Sequence, residues 1–355
     1  MLSRMSPHSA GNALADRAVK TSRITDILEG RGLDAVRLTS GEALSWLFDG
    51  ARTSVPVGGA AVFSASVGRD GQVRVRALRN EAERLAAEEL PGADIDVVDW
   101  FAPLDAVEPG EAAESVISAE LRAARASLLP SEVQRFRALG ADAAAALTEA
   151  LSGAHPDETE TALAGRLASA VYARGAEPVV VLVAGAARSG VQHPVPTAHR
   201  LGRRAMAVVT AKRHGLHASA TRWVRFGGAE PEAAARIREV EAEAWAATRP
   251  GRTLADVLSD IAAAYAQHGF GPDAWLRHHQ GGPTGYAGRD PKAAPTSRER
   301  VDVDQAFAWN PWAPGAKAED TALVGAEGIQ ALTIDPAWPT VAVRGMARPA
   351  ELDLG

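Results

Sequence analysis

Residues 154–178 read AHPDETETALAGRLASAVYARGAEP and residues 248–272 read TRPGRTLADVLSDIAAAYAQHGFGP; the two align without a gap at an offset of 94. Pro156 falls on Pro250, Thr159 on Thr253, Gly175 on Gly269 and Pro178 on Pro272. Each copy is preceded by a long helical segment, PSEVQRFRALGADAAAALTEAL or EPEAAARIREVEAEAWAA. Each is followed by strand-like runs, PVVVLVAG to RWVRFG in the first and AWLRHHQGGPTGY to NPWAPGAKAEDTALV in the second. Two helix–helix–strand units in tandem predict a duplicated α+β half. Such halves usually pack about a pseudo-twofold axis, with a ligand cleft between their sheets. The duplication describes a fold and names no reaction.

Upstream of the repeat, helix and strand signals alternate. SRITDILEGRGLDAVRLTS predicts an amphipathic helix closed by Gly32 and then a strand. AAVFSASVGRDGQVRVRAL holds two β-rich runs joined by Arg69-Asp70-Gly71, a hairpin signal because such a turn needs φ > 0 at glycine. NEAERLAAEEL predicts a charged helix and ADIDVVDWF a strand. Pro109-Gly110 and Pro130 bracket a short helical stretch, which places a boundary near residue 125. The expected plan is an extension over 1–20, a small α/β domain over 21–125 and the duplicated domain over 126–355.

The chain's 355 residues suffice for two cores, and 46% hydrophobic with 23% charged residues is ordinary globular composition. A net charge of −6 gives no reason to expect nucleic acid. The absence of cysteine excludes disulfides, thiolate metal sites and cysteine nucleophiles. MLSRMSPHSAGNALADRAVK lacks the apolar core of a signal peptide, and no apolar run approaches membrane-spanning length. A soluble, cytoplasmic protein without a membrane partner is expected. Serine-hydrolase elbows, phosphate loops, dinucleotide fingerprints and HExxH are all missing.

With these elements in order, the chain resembles the pita-bread metallopeptidase superfamily of creatinase, aminopeptidase P and prolidase. RGLDAVRLTSGEALSWLFDGAR and RNEAERLAAEEL resemble its small N-terminal domain. KRHGLHASATRW, HHQGGPTGY and NPWAPGAKAEDTALV resemble its catalytic domain. The resemblance implies two divalent metals bridged by water and held by Asp, Asp, His, Glu and Glu. Carried over position by position, the set is not there. The first Asp falls at Thr210, or at Val208 under another gap placement, and the second at Ser219. The His falls at Gly282, the first Glu at Asn310, and only the last Glu survives, as Glu319. One carboxylate cannot hold two hard cations, so neither metal nor any other cofactor is expected.

What remains suggests acid–base chemistry on an organic ligand. His193, in SGVQHPVPT, lies 17 residues before Thr210, the spacing of the auxiliary histidine in aminopeptidase P and of the acid–base histidine in metal-free creatinase. Imidazole titrates near neutrality, which suits that role. Glu319 is the second expected catalytic group, with a salt bridge to Lys317 or an arginine as its alternative reading. His278, His279, Asn310, Arg289, Tyr286 and Trp309 are expected to position substrate, Arg289 by binding a carboxylate. Adjacent strand residues face opposite ways, so only one of His278 and His279 should enter the cleft. By the same alternation His214 and His217 are not a metal pair. Trp309, Trp312, Trp275 and Trp223 read either as an aromatic wall or as core.

The leading expectation is a metal-independent enzyme cleaving or rearranging a C–N bond of a small amino-acid-like, amide or guanidino substrate. A non-catalytic protein that binds a ligand or partner is the alternative. A site rebuilt around a metal on His193, His278 and Glu319, in an Xaa-Pro aminopeptidase, is the third. The resemblance further implies a homodimer, in which Trp46 and Arg52 would reach a neighbour's cleft.

Overall fold

The computed structural model describes residues 7–355, with side chains from residue 15 onward. Residues 1–6 of the expected extension lie outside the described residues. The rest of that stretch is helical, because α1 (Pro7–Arg31) runs through it into the amphipathic segment. Gly32 ends this helix at φ 67°, a left-handed conformation that costs glycine nothing. The chain falls into two compact units, the first ending at Glu132 and the second running from Val133 to Gly355.

The first unit continues with β1 (Ala35–Leu38), α2 (Gly41–Leu47), β2 (Phe63–Gly68), β3 (Val73–Leu78) and α3 (Ala82–Arg84), which a π-helical turn prolongs to Glu89. After β4 (Ile95–Val98) and β5 (Glu111–Ala113), α4 (Ser118–Ala126) completes it. The strands form one sheet in the order β4-β3-β2-β1-β5. β2 and β3 are the predicted hairpin, and Gly71 turns it at φ 78°. Ser40 caps α2 by accepting a hydrogen bond from the Ala43 amide at 3.1 Å. Trp46 is fully buried in the core of this unit and Arg52 is held by Glu88 and Glu89. The tryptophan is therefore packing, and cannot extend to a neighbouring subunit.

The second unit realises the duplication. Its first half is α5 (Pro130–Ser152), α6 (Glu160–Ala173), β6 (Glu177–Gly185), β7 (Arg204–Arg213) and β8 (Leu216–Arg225). Its second half is α7 (Glu232–Ala247), α8 (Leu254–Gln267), β9 (Gly281–Thr284) and β10 (Gln305–Trp309); the small hairpin β11 (Trp312–Ala313) and β12 (Ala316–Lys317); and β13 (Asp320–Gly325) and β14 (Gly328–Ala331). β15 (Thr340–Val343) pairs with β16 (Met346–Pro349), and β17 (Leu352–Asp353) returns to the first half. Two four-stranded sheets result, β17-β8-β7-β6 and β14-β13-β10-β9. Each contains an antiparallel trio, β6–β7–β8 or β9–β10–β13.

Equivalent sequence positions do equivalent work. Thr159 caps α6 at φ −85°, ψ 154°, and Thr253 caps α8 at φ −79°, ψ 153°. Each threonine also forms an isolated bridge to the segment entering its sheet, at Arg200 and Arg300. The second half packs Ile237, Val240, Trp245, Val257, Ile261, Tyr265, Phe307 and Trp309 into one apolar core. Among the described residues, no helix is long and apolar enough to cross a membrane.

Candidate functional site

The two sheets of the second unit are stitched together where β8 meets the start of β13. The Thr221 amide donates to the Glu319 carbonyl at 2.9 Å. The Thr321 hydroxyl accepts from the Ser219 amide at 2.7 Å and donates to the Ser219 carbonyl at 3.0 Å. The carried-over positions gather at this seam.

Glu319 is 4% exposed and both of its carboxylate oxygens are engaged. Arg289 donates to Oε1 at 2.6 Å. Lys317 Nζ lies 2.9 Å from Oε2, to which the Thr221 hydroxyl also donates at 3.0 Å. Burial pushes this carboxyl up, but the Lys317 ammonium and the Arg289 guanidinium outweigh it and hold it at about 2. Glu319 is thus ionised, saturated and clamped between two cations, with no oxygen free to take a proton. That geometry does not suit proton transfer by Glu319. The bland alternative, pairing with Lys317 and an arginine, is what the chain does, but in the interior. Lys317 stands two residues before Glu319 in extended backbone, and that alternation puts both on one face. The Lys-x-Glu spacing was the available signal.

Beside this clamp the Thr210 and Ser219 hydroxyls lie 2.9 Å apart on adjacent strands. Asn310 is 4% exposed; its backbone N–H donates to the Gln280 carbonyl at 3.0 Å, while its side-chain Oδ1 is buried without a hydrogen-bond partner. Gly282 sits in β9, next to Gly281, where φ is +100° and an added Cβ would lie 2.1 Å from the Ala308 carbonyl oxygen. Only glycine allows that approach of β9 to β10.

Three histidines converge at one end of the seam. His193 rides the loop between β6 and β7, and the buried carboxylate of Glu160 anchors that loop. Glu160 accepts from the Gly185 amide at 2.9 Å and the Thr197 hydroxyl at 2.7 Å, and pairs with Arg188. His278 and His279 follow a short 3₁₀ turn over Ala274–Arg277 and precede β9. Gln280 locks that segment, donating to the Trp275 carbonyl at 2.8 Å and the His278 carbonyl at 2.7 Å and accepting from Tyr265 at 3.0 Å. His278 Nε2 lies 3.2 Å from His193 Nε2. One ligand nitrogen from each of His193, His278 and His279 lies within 4.8 Å of the others. The expectation that only one of His278 and His279 faces the site is therefore corrected. The pair lies outside the strand, so strand alternation does not govern it.

Burial disfavours the charged form of all three rings. Burial, then Lys317 and His193, lower His278 to about 4. Burial, then His278 and Arg289, lower His279 to about 3. Burial, then Lys317 and Lys292, lower His193. His193 is exposed, so the cluster opens to solvent through it.

Trp309 is corrected from a substrate contact to a core residue. It is 0% exposed and its indole donates to the Thr248 hydroxyl at 2.8 Å. Trp312, three residues on, is the aromatic side chain at the cluster, with its ring 6.4 Å from that of His278. Tyr286 is buried. His214 occupies the turn between β7 and β8 at φ 51°, and the half-buried His217 has its Nδ1 3.1 Å from the Gly285 carbonyl oxygen.

On the other side of Glu319 lies a second buried ionic group. Asp320 accepts from Arg222 at 2.9 Å and from Arg348 at 2.7 Å, and Arg348 also donates to Glu241. Burial pushes Glu241 up to about 7 against the pull of Arg348. A small cavity of about 20 Å³ lies here, lined by Arg222, Glu241, Lys317, Glu319, Asp320 and Arg348 among others.

The model of metallopeptidase family M24 matches residues 134–326. Among solved structures, an X-Pro aminopeptidase from Thermotoga maritima MSB8 superposes with a TM-score of 0.74 at 16% identity, over 94% of this chain and 99% of that one. Dipeptidase PepE from Mycobacterium ulcerans gives a TM-score of 0.72 at 20% identity, over 91% and 96%. The N-terminal domain of FACT complex subunit SPT16 from Cicer arietinum gives 0.66 at 11% identity, over 91% and 96%. At these identities the likeness is one of fold. No curated protein matches the sequence.

Proposed function

We propose that this chain, which belongs to metallopeptidase family M24, works without the family's paired metals on a small amino-acid-like, amide or guanidino substrate, breaking or rearranging a C–N bond. The observation that carries this reading is the clamp on Glu319. Two divalent ions need several carboxylate or imidazole ligands between them. The positions carried over for those ligands supply a hydroxyl pair, Thr210 and Ser219, a glycine, an amide and one carboxylate. That carboxylate is already saturated by Arg289, Lys317 and Thr221. Two fixed cations at this carboxylate also oppose the approach of dications.

In this reading His193 is the proton donor and acceptor. It is exposed, and its Nε2 reaches that of His278 at 3.2 Å. Substrate bound over the cluster meets His193 directly, and the neighbouring ring offers a route for the proton. His278, His279, Asn310, Arg289 and Tyr286 hold the substrate. Glu319 is a positioning residue that fixes Arg289 and Lys317. In hydrolysis His193 takes a proton from a water that adds to the substrate carbon and returns it to the departing amine; for an amide, fixed positive charge serves the carbonyl oxygen that gains negative charge.

The test is a turnover screen of small amides, guanidines and X-Pro peptides with and without chelator, comparing His193→Ala. The expected result is turnover that survives chelator and falls by about 10²–10⁴-fold in the variant. Turnover that vanishes with chelator and returns with added metal overturns the metal-free reading. The second reading, a ligand- or partner-binding protein without catalysis, is favoured by the burial of Glu319, Asn310 and His278 at 4%, 4% and 6% exposure. Ligand binding with no turnover of any compound in the screen would establish it.

A further inference from the structure

We infer that His193, His278 and His279 form a site for a single transition-metal ion, separate from the position of the family's paired metals, and that the ion blocks the chemistry of His193. The blocking half of this inference rests on the function proposed above; the binding half does not.

Three side chains offer imidazole nitrogens within 4.8 Å of one another, two of them only 3.2 Å apart. Tetrahedral coordination at about 2.0–2.1 Å sets ligand nitrogens roughly 3.3 Å apart. One pair already stands at that spacing, and modest ring rotation closes the rest. Nδ1 of His278 and Nδ1 of His279 are both buried without a hydrogen-bond partner, and His278 is only 6% exposed. Unsatisfied buried nitrogen is costly, and an ion that rotates the rings into coordination relieves it. An exposed His193 leaves an entry path and an open fourth position.

The donor set fixes the class of ion. All-nitrogen ligation suits Zn²⁺, Cu²⁺, Ni²⁺ and Co²⁺, whereas Mg²⁺, Ca²⁺ and Mn²⁺ require oxygen. Glu319 is not a ligand, because Arg289, Lys317 and Thr221 occupy its oxygens. Lys317, Lys292 and Arg289 act on the same rings and oppose a doubly charged ion. A bound ion takes the lone pair on which proton transfer by His193 depends, so metal and turnover exclude each other.

The full chain, stripped by chelator and then titrated with Co²⁺, tests this. We expect one Co²⁺ per chain, visible absorption typical of four- or five-coordinate nitrogen ligation, and paramagnetically shifted ring C–H resonances from three imidazoles in the unmodified protein. His278→Ala and His279→Ala, checked for folding by melting, weaken binding at least 100-fold, while His155→Ala, at an exposed histidine outside the cluster, changes it less than 3-fold. Shifted signals from fewer than three rings, a stoichiometry other than one, or binding unchanged in His278→Ala and His279→Ala overturns the site. Zn²⁺ should suppress turnover in step with Co²⁺ displacement. Binding without inhibition leaves the site standing and defeats the blocking role. Inhibition that does not track occupancy defeats that role as well.

Discussion

Glu319 shows how far a single residue can be read from the chain. Its survival at a carried-over ligand position was legible, and so was the substitution of Asn310 for a carboxylate. The partners that decide its chemistry were only half legible. Lys317 follows from alternation, but Arg289 arrives from the connection between β9 and β10, whose path no local pattern specifies. The three-histidine cluster was missed for a related reason. A His-His pair beside glycines reads as strand, and its convergence with His193 depends on a loop anchored from a distance by Glu160. The clamp has a pH signature. Glu319 titrates at about 2 in the folded chain against an ordinary 4.5, so between those values the unfolded chain binds more protons and stability falls on acidification. The slope from this group approaches about 1.4 kcal/mol per pH unit. Glu319→Gln strands Lys317 and Arg289 without their anion and costs about 3–5 kcal/mol at neutral pH. The gap between variant and parent in urea unfolding should narrow from pH 5 to pH 3. A gap independent of pH would mean that the carboxylate is not the source of the stability.

Among the elements, α5 carries a prediction that sequence alone would give with the wrong sign. Gly140 lies mid-helix, where alanine normally gains about 0.5–1 kcal/mol. Here a Cβ would sit 2.5 Å from the Leu332 carbonyl oxygen and 2.9 Å from the Leu332 Cβ. Those contacts are too short for any real side chain, and overpacking of this kind costs roughly 1–3 kcal/mol. Crowding wins, so Gly140→Ala destabilises, whereas Gly165→Ala in α6, with nothing within 4 Å of the added carbon, stabilises. Thermal melts of the two variants should move in opposite directions; a rise for both would show that α5 is free to move away from Leu332. The helices themselves were legible because their apolar periodicity is local. The close approach at Gly140 was not, since the segment that ends at Leu332 lies almost two hundred residues downstream.

For the molecule as a whole, the duplication was the most legible feature, because an ungapped offset of 94 residues is a property of the sequence that folding merely copies. What it could not supply is where the halves diverge. The first half spends its connections on regular strands of 9–10 residues, while the second interrupts β10 and β13 with the β11–β12 hairpin that carries Lys317 to Glu319. The paired caps measure how separately the halves are stabilised. Thr159 accepts from the Ala162 amide at 3.2 Å and Thr253 from the Asp256 amide at 3.1 Å, and these two caps share no hydrogen-bond partner. Replacing either by alanine removes one cap and should cost about 1 kcal/mol. Thr253→Ala should cost somewhat more, because its hydroxyl also donates to the Asp256 carboxylate at 2.7 Å, a charge-assisted bond, where the Thr159 hydroxyl meets only the neutral Thr161 hydroxyl at 3.1 Å. The double variant should lose the sum to within about 0.5 kcal/mol, as expected of distant sites without shared partners. Urea midpoints of the four proteins, at constant slope, give that sum directly. A coupling well beyond 0.5 kcal/mol would mean that fraying one half's helix loosens the other's, and the two copies would then be one cooperative structure down to their helix ends.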